Sequence, residues 1–133
     1  MAVGNNIAEQ LNISVTCATP ITTQFSLVKF VAGGVAPITA NTDVPCGVAQ
    51  ETGALGATIL VTVEGKTKLK NGASNVSLGD RIGPSATGLA TAVVAGTSTG
   101  FFVAGHVFQI DSATNANGLV GAIVSCINPP RNA

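Results

Sequence analysis

The chain has 133 residues with six basic and six acidic side chains, so its formal net charge is zero, and only 9% of it is charged. Ordinary soluble domains carry about 25% charged residues. A sparse, balanced charge leaves no electrostatic footprint for nucleic acid, and a hydrophobic content of 46% excludes a disordered chain.

Residues 1–10 are small and mostly polar and are expected to form a flexible arm. Ile7 and Leu11 are four apart and would share one face of a short helical turn, which needs a partner surface to persist. The same stretch lacks the basic start and apolar core of a signal peptide, and no run approaches the length of a membrane span. Leu11, Ile13, Val15 and Cys17 then alternate with polar residues as a first strand, ended by Pro20. Residues 25–31 are apolar on both faces, which predicts a second, buried strand. Gly33-Gly34 marks a hairpin into a short third strand over 35–40, with Asn41-Thr42-Asp43 as its turn.

The centre of the chain is 47–83. Ile59, Val61 and Val63 alternate with Leu60, Thr62 and Glu64, the period-two pattern of a strand. Glu64-Gly65 is expected to form a tight bend, after which Lys66, Lys68 and Lys70 lie on one side and Thr67 and Leu69 on the other. The prediction is an antiparallel hairpin over 57–70 with one basic, wet face. At Gly79-Asp80 a corner is expected, the glycine supplying an uncommon backbone conformation and the aspartate accepting turn amides. Residues 81–83 (stopped by Pro84), 88–94, 101–110 and 119–127 complete the strands. Residues 111–118 are a turn-rich loop, and Pro129-Pro130 ends regular structure.

Roughly nine or ten short strands with frequent turn signals and hardly any helix predict an all-β fold, a single small β-barrel or sandwich of short antiparallel strands. The expected organisation is an arm over 1–10 and one β domain over 11–133, since a second domain would have too little core of its own. With so few charges, such a domain exposes large uncharged areas, and these mark contact surfaces.

Residues able to carry chemistry do not assemble in the sequence. Gly65-Lys66-Thr67 matches the end of a P-loop, but the leading glycine would fall at Leu60, and a strand rather than a helix follows. His106 is the one histidine; no G-x-S-x-G accompanies it and the nearest acid, Asp111, lies across a strand, so a packed or interface role is expected. Glu9, Asp43, Glu51, Glu64, Asp80 and Asp111 are scattered singly, with neither acid–base pairing nor a calcium loop. Cys17, Cys46 and Cys126 form no CxxC and suit small buried side chains in a reducing cytoplasm. The expectation is a protein without catalytic, cofactor-binding or metal-binding residues, and without a nucleic-acid, membrane or small-molecule partner. The interface candidates are Ile7 and Leu11 on the arm, and Phe101 and Phe102 beside the loop 96–100. For the two phenylalanines, ordinary core is the competing role.

The succession Gly47-Val48-Ala49, Val61-Thr62-Val63-Glu64-Gly65, Gly79-Asp80-Arg81-Ile82, Gly88 and the late run GLVGAIV over 118–124 resembles the small capsid cement, or head decoration, proteins of tailed phages. Some relatives in that family carry the name of a recombinase. The likeness covers about residues 11–127, and its motifs define turns rather than chemistry. This chain departs from the family pattern in extra residues at 111–118 and at the amino end, and in having fewer acids. The resemblance implies an all-β virion protein made in the host cytoplasm, forming homotrimers on the outer capsid surface and bridging major capsid protein subunits. Another virion β-module, such as a tail tube, spike or head-fibre base component, is the alternative.

Overall fold

The computed structural model describes residues 10–72, 76–110 and 117–132, and among them there are nine strands and no helix. In chain order these are β1 (Gln10–Thr16), β2 (Leu27–Val31), β3 (Gly34–Pro37), β4 (Gly47–Ala49), β5 (Thr58–Lys70), β6 (Arg81–Pro84), β7 (Ala90–Ala92), β8 (Gly105–Ile110) and β9 (Leu119–Ser125). They form one sheet in the order β3-β2-β4-β5-β9-β8-β6-β7, with β1 also paired to β5, and every pairing is antiparallel.

The expected hairpin over 57–70 is not formed: β5 is one continuous strand of 13 residues. Ile59 and Val61 before Glu64-Gly65 and Thr67 and Leu69 after it are all buried, so one face of the strand stays inward along its length. Glu64-Gly65 marks a change of neighbours rather than of direction. Both residues pair with Leu11 and Gln10 of β1, and also with Ser125 and Val124 of β9. Val63 is skipped in the register with β1, a bulge that bends and twists the strand. Gly65 has φ of 114°, a conformation that side-chain-bearing residues rarely adopt.

From β5 the sheet runs one way through β4, β2 and β3 and the other way through β9, β8, β6 and β7. Both wings curl back, giving a curled half-barrel. Cys17, just past β1, bridges Val35 of β3, and Asn71, just past β5, bridges Ala90 of β7. Two apolar cores result. One holds Cys17, Ile21, Val28, Val35, Cys46, Ala49, Ile59 and Val61. The other is built on Leu69, Ile82, Ala90, Val107, Val120 and Val124, with Leu27 and Val48.

Strands β2 and β4 thus contribute to both cores, Leu27 and Val48 to one and the adjacent Val28 and Ala49 to the other. That double burial explains the two apolar faces read in residues 25–31, but it ends at Val28. Phe30 is 61% exposed and Val31 38%. The expectation of burial fails there because β4 pairs only with Leu27 and Val28, while Lys29–Val31 has β3 alone beside it.

The expected turns form. Gly33-Gly34 joins β2 to β3. Asp80 accepts the Ser77 amide at 2.8 Å, and Asp43 accepts the amides of Thr39 at 3.0 Å and Ala40 at 3.1 Å. No strand follows β9, as expected of Pro129-Pro130, although the residues around them are still held by hydrogen bonds. The amides of Val103 and Asn132 bond to Pro130 and Phe101, and the Asn132 side chain donates to Val94 and Ser98 carbonyls.

Candidate interaction surface

Among the described residues, no three histidine, cysteine, aspartate or glutamate side chains come together as a metal site, and no helix is long and apolar enough to cross a membrane. The described acids serve local structure. Glu51 accepts the Leu60 amide at 3.0 Å, and Glu64 accepts the Ser125 hydroxyl at 3.1 Å. Asp43 meets the Lys29 ammonium at 2.8 Å. Gly65-Lys66-Thr67 lies inside β5, so no helix opens after it. The three cysteines are free and buried. Burial raises all three thiols, Cys46 and Cys126 to about 12.

The interface candidates occupy separate places. Leu11 is 49% exposed and lies in β1 opposite Glu64. Phe101 and Phe102 are half-buried in the segment that packs with the C-terminal residues, Phe102 bridging Arg131. Strands β5 and β9 lie between the two locations. Ile7 and the rest of the arm up to Glu9 fall outside the described residues, as do Asp111 and most of the loop over 111–118, while Gln10 opens β1.

A surface absent from those candidates emerges from strand register. Directly paired residues share a face of a sheet. Arg81 pairs with His106, His106 with Ile123 and Ile123 with Lys66, so these four form a row across β6, β8, β9 and β5. The next row is Lys68, Gly121 and Gln109. Lys70 opposite Leu119 extends the face in one direction, and Glu64 opposite Ser125 in the other. The basic wet face expected from the Lys66, Lys68 and Lys70 alternation therefore exists, on the middle of the sheet rather than on a hairpin. His106 is exposed there and not packed.

The register of β8 against β9 steps over Phe108, placing two residues opposite one. A bulge of this kind re-aims its side chain. Phe108 is carried over Gly121, where an added β-carbon would lie 3.1 Å from the ring. The ring also receives the Lys66 ammonium, 5.8 Å from its centroid, a favourable cation–π distance. Beside it is an open cleft of about 460 Å³, lined by Gln10, Phe25, Gln50, Lys66, Thr67, Lys68, Phe108, Gln109 and Gly121. The Gln10 side chain donates to the Lys66 carbonyl at 2.8 Å, and Gln50 to the Thr67 hydroxyl at 2.8 Å. The lining carries two lysines, three glutamines, a threonine and two phenylalanines, with no acid or histidine.

No protein-family model matches the chain, and no curated protein sequence matches it. Among solved structures its fold is similar to that of the head fiber gp8.5 N base in bacteriophage phi29, with a TM-score of 0.63, covering 87% of this chain and 94% of that one. The two are 15% identical, so the likeness is one of fold.

Proposed function

We propose that the chain is a non-enzymatic structural protein of a phage virion, which decorates the outside of the head and stabilises the capsid by bridging major capsid protein subunits. The observation that carries this reading is the similarity of fold, over 87% of the chain, to a protein named as a phage head fibre base. The glycine-marked succession, which resembles that of capsid cement proteins, is in keeping with this reading. A scarcely charged surface and a sheet tied across by β5 suit a rigid clamp, and many identical copies, associating as homotrimers, would add weak contacts through multivalency. No cofactor or small-molecule substrate enters this role.

The same neighbour favours a second reading, in which the chain is the base that seats a fibre on the head. The two differ in abundance and in what projects from the shell. Heads of the parent phage, separated from tails and quantified by mass spectrometry, test both. Copies on the heads in numbers comparable to the major capsid protein are expected for decoration. A few copies on heads, accompanied by a larger projecting protein, would select the fibre base. Recovery in the tail fraction alone would contradict both.

A further inference from the structure

We propose that the outer face of β5, β9, β8 and β6 is the docking surface of this chain, and that it seats an acidic patch of a neighbouring virion protein. This rests on the virion reading above. Four of the chain's six basic side chains, Lys66, Lys68, Lys70 and Arg81, are placed by register on this one face, in a molecule whose total formal charge is zero. Among the described residues, Glu64 is the acid set on the same rows, at their edge beside Ser125. Alternate residues of a strand are about 7 Å apart and neighbouring strands about 5 Å, so successive lysines lie within one Debye length of each other, with Arg81 about 15 Å from Lys66 at the far end of its row.

The middle of the face is apolar. Ile123 is 53% exposed and Phe108 40%, and the bulge together with Gly121 is what lays Phe108 between the lysine rows. An apolar centre with a charged rim is the anatomy of a protein–protein contact. A nucleic acid fits less well, because Phe108 is the one aromatic on these rows and Glu64 would oppose phosphates. Complementary charge at the rim aligns the partner and makes association salt-sensitive, while Ile123 and Phe108 supply the area removed from water.

The test uses intact virions treated with a carbodiimide, which joins lysine amines to carboxylates in direct contact, followed by peptide mapping. Links from Lys66, Lys68 or Lys70 to aspartate or glutamate of another virion protein are expected. In parallel, phage are assembled with the double variant Lys66→Glu/Lys68→Glu, with Ile123→Ser, or with Thr19→Glu at an exposed site away from the face. The first two should lower the chain's occupancy by about tenfold and the last should not, while all three melt with the wild-type protein. Wild-type occupancy in the first two, with those lysines unlinked, would overturn the docking face and leave the virion reading standing. Absence of the wild-type chain from virions would overturn both. Release by nuclease would assign the face to nucleic acid and overturn the acidic-protein partner.

Discussion

Asp43 shows how a single carboxylate organises the turn after β3. It accepts two backbone amides, and its ammonium partner Lys29 lies 2.8 Å away on β2. The Lys29 contact, followed by the Thr39 amide, lowers its pKa from 3.8 to about 2. A carboxyl made more acidic by folding contributes stability above its unfolded pKa and loses that contribution as pH falls through the folded one. Asp43→Asn should therefore cost about 1–2 kcal/mol at neutral pH. The gap from wild type should close between pH 4 and pH 2, read from urea midpoints. A gap that persists at pH 2 would mean that the carboxylate charge is not what stabilises the turn. The cysteines carry a second expectation at this scale. With Cys46 and Cys126 raised to about 12 and Cys17 also raised, all three thiols should resist a thiol-specific colorimetric reagent at pH 8 in the native state. All should react once the chain is unfolded. Rapid native labelling would contradict the burial shown for them.

Strand β5 is the element on which the fold depends. It pairs with β1, β4 and β9, and both cores draw on its inward face. Gly65 sits at the overlap of β1 and β9 with φ of 114°, so Gly65→Val forces a branched side chain into a strained backbone. A loss of about 1–3 kcal/mol in thermal or urea unfolding is expected. Amide exchange on the wild-type protein separates strand from hairpin: continuous protection through 63–67 is expected here, whereas a bend would leave an unprotected gap at Gly65. Much of this was legible in the sequence. The alternation of Ile59, Val61, Thr67 and Leu69 located the inward face, and Lys66 and Lys68 located the wet one. What misled was Glu64-Gly65, because a turn-forming dipeptide and a glycine at a partner exchange look alike when the neighbouring strands are unknown. Residues 25–31 misled for a similar reason: Phe30 and Val31 continue an apolar pattern, but β4 is too short to cover them. The row from Arg81 to Lys66 could not be read at all, since register between distant strands leaves no local mark. The two acid-centred turns could be read, because their chemistry is contained within a few residues.

At the scale of the whole molecule, two cores share one long strand, and the described residues bring together no group of three histidine, cysteine, aspartate or glutamate side chains that could hold a metal ion. What distinguishes the surface is a segregation of charge onto one sheet face around Ile123 and Phe108. That arrangement suits a protein whose work is contact. The most direct test of the central claim is cryo-electron microscopy of virions from the parent phage, with and without this protein. The account predicts density of this fold on the outer head surface, at three-fold or quasi-three-fold positions, and heads that lose heat resistance when it is missing. Density confined to the tail or portal, or heads unchanged by its loss, would contradict it.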